Sequence, residues 1–192
     1  MIEVTATMGV ADLLEPVLEK SEVNVLILDV TVPTSSENRN SYPILHVIPT
    51  LLDEHPNLNI LVVSMRVERA LIRGVMDAGA NGYILKDDQN ANLNFLEIVK
   101  LVAEGGVYLS EEAGKVYDKQ LEKENGKQIS PRQLEALSLC AAYPGDKSML
   151  LATKMHITHS AFRNLLSGAY IKLGARNRTE AIAKAKQMGL IK

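Results

Sequence analysis

The sequence predicts two domains of different class: an α/β domain built on a parallel sheet over residues 1–113, and an all-α domain of four short helices over residues 129–192, joined by a polar linker at 114–128. Three observations predict this. Short, nearly continuous apolar runs alternate with helical stretches in the first half, the pattern of strands buried on both faces of a sheet. The last sixty-odd residues read instead as short helices with capping residues at their starts. Charge changes sign at the same place: residues 1–126 hold 10 Lys+Arg and 20 Asp+Glu (10 − 20 = −10), and residues 127–192 hold 11 and 3 (11 − 3 = +8), which together give the net −2. Segregation on this scale separates a module that meets a polyanion from one that does not.

In the acidic half, Val23–Leu28, Asn59–Val63 and Gly82–Leu85 are the strand candidates, with Ile2–Ala6 as a weaker fourth at the N-terminal edge. Helices are expected at about 10–20, 44–54, 67–78 and 91–104. Strand–helix alternation at this spacing calls for a doubly wound sheet, whose functional groups collect at the carboxyl ends of its strands. Three polar residues end three of these runs: Asp29, Ser64 and Lys86.

Those residues carry a resemblance. Asp29 with Pro33 four positions on, Ser64 closing a strand, and Ala78-Gly79-Ala80-Asn81-Gly82-Tyr83-Ile84-Leu85-Lys86 resemble a bacterial response-regulator receiver domain, a flavodoxin-like fold. The resemblance implies that Asp29 is the phospho-acceptor position, Ser64 the hydroxyl that answers the phosphoryl group, Lys86 its cationic partner and Tyr83 the switch aromatic. Aligned on Asp29, Ile2 falls where a receiver's second strand begins, so a truncated receiver is expected, without the first strand, its terminal acidic pair or the first helix. Hard divalent cations need several carboxylate oxygens, so Mg²⁺ is not expected as a cofactor, and phosphorylation of the ordinary kind is not expected either. Only the last helix of the domain, carrying Leu93, Leu96, Ile98, Val99, Leu101 and Val102, would then cover one sheet face. An open apolar face of that size predicts a homodimer.

Gly114–Gln128 is rich in charge and closes with Asn125-Gly126, which reads as a polar helical extension followed by a turn. The next helix starts at Ser130-Pro131-Arg132-Gln133, with Ser130 as cap, Pro131 at the first helical position and Gln133 completing a capping box. Asp146 is the expected cap of a short helix at Lys147–Lys154, and Thr158 that of a longer one ending at Leu173. Phe162, Leu166, Ala169 and Leu173 form the inward stripe of the longer helix, which leaves Ser160, Arg163, Asn164, Ser167 and Ile171 facing out. Asn177 and Glu180 make a second capping box. Two helices joined by a tight turn, the second presenting Arg and Asn, describe a helix-turn-helix.

Ser130-Pro131-Arg132, Leu134-Glu135, Lys172-Leu173-Gly174 and Asn177-Arg178-Thr179-Glu180-Ala181 resemble the LuxR-type helix-turn-helix of the NarL/FixJ response regulators. The resemblance implies a transcription regulator with double-stranded DNA as partner and a sensor kinase upstream. Lys147, Lys154, Lys172, Arg176 and Arg178 are the candidate phosphate contacts. Arg163 and Asn164 are expected at base edges, with His159, Ser160 and Ser167 on the same helix. His156 and His159 lack a third ligand nearby, so no metal is expected there. A lone cysteine, Cys140, fits a reducing cytoplasm and reads as a small buried hydrophobe. No apolar run approaches the ~20 residues that span a bilayer, so no membrane partner is expected. An enzyme is not expected, since no phosphate-cradling glycine turn follows a strand and no nucleophile–base pair is legible. The alternative is a protein-interaction or adaptor module whose helix-turn-helix no longer reads DNA.

Overall fold

A computed structural model describes residues 2–121 and 128–191, with the backbone alone for 118–121. Four strands, β1 (Val25–Asp29), β2 (Asn59–Ser64), β3 (Gly82–Leu85) and β4 (Tyr108–Leu109), form one parallel sheet in the order β1-β2-β3-β4. Around it lie α1 (Leu14–Lys20, preceded by a 3₁₀ turn at Ala11–Leu13), α2 (Ile44–Glu54), α3 (Arg69–Asp77), α4 (Gln89–Leu93), α5 (Phe95–Ala103) and α6 (Glu111–Leu121). Successive side chains on a strand point to opposite faces, and the burial follows that rule. Leu26, Leu28, Ile60, Val62, Tyr83 and Leu85 meet Ile48, Leu51, Leu52, Ile72 and Val75 of α2 and α3 in one layer. Leu61 and Ile84 meet Ile98, Val99 and Val102 of α5 in the other.

The expected strand at Ile2–Ala6 does not form. These residues are exposed coil, with Ile2 40% and Val4 75% accessible. In the 2-1-3-4-5 order of a flavodoxin-like sheet, that strand touches only the first strand. Among the described residues no strand lies beside β1 to receive it. The expected helix at 91–104 is two helices, broken at Asn94, whose side-chain amide bonds back to Asn90. Strand β4, two residues long, was not legible in the sequence. Helix α6 begins at Glu111, ahead of the expected linker, and its Ala113 is fully buried against the sheet layer. The expected turn at Asn125-Gly126 lies outside the described residues.

The basic half folds as four helices, α7 (Pro131–Ala142), α8 (Ser148–Lys154), α9 (His159–Leu173) and α10 (Arg178–Gln187). Ser130 and Gln133 make the full capping box ahead of Pro131, and Thr158 accepts the Ala161 N–H. Asn177 caps α10, but Glu180 reaches past it to accept the N–H of Arg176. Asp146 does not cap α8; Lys147 occupies that position without a side-chain bond. Phe162, Leu166 and Ala169 of α9 join Leu137, Cys140, Leu151 and Tyr170 in the second core. That core does not stop at the domain boundary, since Met76 of α3 and Val107 ahead of β4 belong to it.

Leu51 is fully buried among these layers, so Leu51→Ala leaves a cavity. Urea unfolding is expected to show a loss of about 2–5 kcal/mol; a loss within error of zero would place Leu51 outside the core.

Candidate functional sites at the two ends of the sheet

At the carboxyl end of the sheet, Asp29 closes β1 and Lys86 follows β3. The Asp29 Oδ2 and Lys86 Nζ atoms are 2.6 Å apart, and Asp29 Oδ1 accepts both the N–H (2.9 Å) and the hydroxyl (3.0 Å) of Thr31. Partial burial raises the Asp29 pKa, but the bonds from Lys86 and Thr31 and the Lys86 charge outweigh it, and the carboxyl is held below its ordinary 3.8. Ser64 is fully buried at the end of β2, where its hydroxyl accepts the Arg66 N–H at 3.0 Å. Tyr83 is also fully buried, and its hydroxyl donates to the Arg66 carbonyl at 2.6 Å. The structure therefore brings Asp29 and Lys86 into contact and places Ser64 and Tyr83 together beside Arg66. A hard dication needs several oxygen ligands. The Asp29 carboxylate is engaged by Lys86 and Thr31, and Asp88 bonds the N–H groups of Ala91 and Glu111; among the described residues Asp29 belongs to no group of three potential metal ligands.

At the amino end of the sheet, α9 docks by its first turns. The His159 Nδ1–H donates to the Leu52 carbonyl (3.1 Å), an assignment that leaves Nε2 to accept the Ser148 hydroxyl (2.8 Å). The Ser160 N–H donates to Asp53 Oδ1 at 3.0 Å. Arg163 enters a cradle where β2 and β3 begin: Nη1 donates to the Leu58 carbonyl (3.2 Å), Nη2 to the side-chain oxygens of Asn59 (3.1 Å) and Asn81, and Nε makes a long bond to the Gly79 carbonyl (3.4 Å). Asn59 and Asn81 are themselves fixed, Asn59 by Asn24 and Ala103, Asn81 by the Ile60 N–H and the Gly106 carbonyl. Gly79 permits the approach. Its φ is +101°, and a Cβ there would sit 3.1 Å from the Ser160 carbonyl oxygen and 3.0 Å from a Leu52 methyl. The Val107 N–H also donates across the boundary to the Arg176 carbonyl at 2.8 Å.

Ser160, Arg163 and Ser167, expected to face out, are thus turned inward in this conformation. His159, Ser160 and Ser167 are buried, because the face that α9 leaves free of its own domain is covered by α2, α3 and the strand starts. Withdrawal from water lowers the Arg163 pKa to about 10. It lowers that of His159 from the ordinary 6.5 as well, with Arg163 acting in the same direction, while the bond to Leu52 and the charge of Asp53 oppose. The candidate phosphate contacts divide into two groups. Lys172 is spent on the Gln128 carbonyl and Gln133, and Lys154 sits over the Tyr143 ring, 4.2 Å from its centre. Arg178 bonds the Asp146 carbonyl through one nitrogen and Lys147 makes a long contact to Asn57, while the Arg176 side chain and Asn164 form no hydrogen bond among the described residues. Sequence reasoning missed Asp53, Asn59, Gly79 and Asn81. The available signal was an asparagine at the start of one apolar strand run, Asn59, and another immediately before a second, Asn81.

No protein-family model matches the chain. It is 23% identical over 196 residues to the transcriptional regulatory protein DegU of Brevibacillus brevis, covering 91% of this chain and 78% of that one. It is 26% identical over 178 residues to the transcriptional regulatory protein YdfI of Bacillus subtilis, with 90% and 78% covered. Among solved structures, the Salmonella typhimurium RcsB response regulator is similar in fold, with a TM-score of 0.52 and 22% identity over 96% of this chain and 86% of that one. No helix among the described residues is long and apolar enough to cross a membrane.

Two outcomes follow from the titrating groups. Lys86→Met removes a bond and a charge from Asp29, so carboxyl NMR should show the Asp29 pKa moving up; an unchanged value would mean that the ion pair does not form in solution. His159 is harder to protonate in the docked form than when exposed. The contribution of His159 to docking is therefore fully present above pH 6.5 and is lost as the pH falls from 6.5 through the lower value of the docked form. Small-angle scattering should report expansion in that window, with His159→Gln removing the dependence, and a pH-invariant radius would contradict this.

Proposed function

We propose that this chain, whose similarity to transcriptional regulatory proteins runs through both of its domains, is a DNA-binding transcription regulator of the response-regulator type and not an enzyme. The observation that carries the reading is the pairing of α8 and α9 by a four-residue turn, Met155–Thr158, inside a segment, residues 127–192, of formal charge +8. A helix-turn-helix places its second helix in the major groove, while cations beside it meet phosphates. Lys147, Arg176 and Arg178 supply those cations, and Arg163 and Asn164 stand at the positions on α9 suited to base edges. In the docked form Arg163 is held by the sheet domain, so in this reading reaching DNA requires α9 to leave the Asn59–Asn81 cradle. The population of undocked molecules then scales the apparent affinity. Asp29 is engaged by Lys86 and Thr31 and, among the described residues, belongs to no group of three potential metal ligands, which supports an atypical or phosphorylation-independent receiver.

We infer a homodimer from the second sheet face. Ile98, Val99 and Val102 turn inward and are buried, but Leu93 (87% accessible), Leu96 (63%) and Ile27 (46%) remain open on that side. Fully burying such a side chain stabilises by about 1.5–3 kcal/mol, enough in combination to drive association. Light scattering should report a dimer at micromolar concentration that Leu96→Glu converts to monomer; a wild-type monomer would remove this part of the reading.

Duplex binding tests the whole. The full chain should bind promoter-length DNA with affinity that falls steeply with salt, since each phosphate contact releases counterions. Asn81→Ala should tighten binding by weakening the cradle, whereas Arg163→Ala, which frees α9 but removes a base contact, should relax specificity at one base pair by about 1–3 kcal/mol. A flat isotherm at low salt for both the wild type and Asn81→Ala would reject the regulator and leave the adaptor reading.

A further inference from the structure

Docking of the two domains leaves a cleft of about 670 Å³ between them. Sites for small ligands concentrate at domain interfaces and have volumes in this range. Three cations line it, Lys147 ahead of α8, Arg163 on α9 and Arg178 at the start of α10, together with hydroxyls of Ser148, Ser167 and Thr179. Two acids also line it. Of these Glu104 is exposed, and Asp146 has Lys154 4.0 Å away as its own counter-charge.

The guanidinium of Arg163 is the unusual member. All of its hydrogen-bond partners are neutral, and no carboxylate among the described residues pairs with it. A guanidinium has five N–H groups, and four are engaged here, which leaves one on Nη1. A cation withdrawn from water without an opposite charge carries a desolvation cost that neutral acceptors offset only in part. An anion beside it would offset the remainder, and Arg178 and Lys147 extend the same positive wall. A single carboxylate uses one such cation; three around one cleft suit a ligand with several phosphate oxygens.

We propose that this interdomain cleft binds a small phosphate-bearing anion. The anion bridges Arg163 and Arg178 and favours the docked form. Its consequence for DNA rests on the regulator reading above: a ligand that holds α9 against the sheet lowers DNA affinity, and DNA lowers affinity for the ligand by the same factor. The binding itself does not rest on that reading.

Pyrophosphate is the probe, titrated into the full chain at constant ionic strength and followed by calorimetry and by arginine side-chain NMR. Saturable binding is expected, with the Arg163 and Arg178 Nε–H signals moving together. Arg178→Gln should weaken it by about tenfold, the equivalent of ~1.4 kcal/mol. Asn81→Asp, which supplies Arg163 with a carboxylate, should weaken it as well. In a second arm, saturating pyrophosphate should lower duplex affinity relative to sodium chloride of equal ionic strength. Absence of saturation, or shifts spread evenly over all arginines and unchanged in Arg178→Gln, overturns the site and leaves the regulator reading intact. Binding of pyrophosphate by a chain that ignores duplex DNA has the opposite meaning: the site stands and the regulator reading falls.

Discussion

The arrangement of this molecule depends on one half-buried cation. Arg163 projects from α9 and ends among carbonyl and amide oxygens where β2 and β3 begin. Most of the polar order of that sheet end exists around it. Asn59 and Asn81 are pinned by the backbone so that their oxygens converge, and Gly79 lacks the side chain that would hold α9 away. Because its partners are neutral, the contact is specific in geometry yet moderate in strength. A well-matched carboxylate would hold the guanidinium far more tightly.

The two candidate sites lie at opposite ends of the same strands. Asn59 begins β2 and Ser64 ends it, which at the rise of an extended strand separates the cradle from the Asp29–Lys86 end by roughly 17 Å. No side chain spans that distance. Coupling between the ends would have to travel through the packed interior, where Tyr83, Leu85, Ile60 and Leu52 share one core. Leu52 contributes a side chain to that core and a carbonyl to His159, so α2 is the element common to both.

Much of the fold was legible because burial on two sides of a parallel sheet leaves unbroken apolar runs, and β1, β2 and β3 follow from them. Helix ends were legible where capping chemistry is local, as at Ser130, Thr158 and Asn177. What failed was non-local. Ile2–Ala6 has strand composition but no neighbour to pair with, and β4 is too short to carry a period. Asp146 has the right side chain for a cap, yet its carbonyl serves Arg178 and its carboxylate lies toward Lys154. Asp29 and Lys86 were legible as polar residues that end strands at one edge of the sheet, and as a pair through the resemblance to a receiver domain. The role of Arg163 was not, since residues 163, 59 and 81 meet only once two domains pack, and nothing in local sequence encodes that contact.

The short connection between the domains has a consequence of its own. Helix α6 ends at Leu121 and α7 begins at Pro131, so residues 122–130 can separate the domains by no more than roughly 30 Å even when drawn out. An undocked helical domain stays in the neighbourhood of its cradle, at an effective concentration on the order of millimolar. An interface too weak to hold two separate proteins together is therefore strong enough here, and re-docking is fast whatever the protein's abundance. A balance between docked and undocked forms would be a property of the single molecule, unaffected by dilution, whereas the association proposed through Leu93 and Leu96 would follow mass action. The chain would thus carry one response that ignores its own expression level and another that measures it.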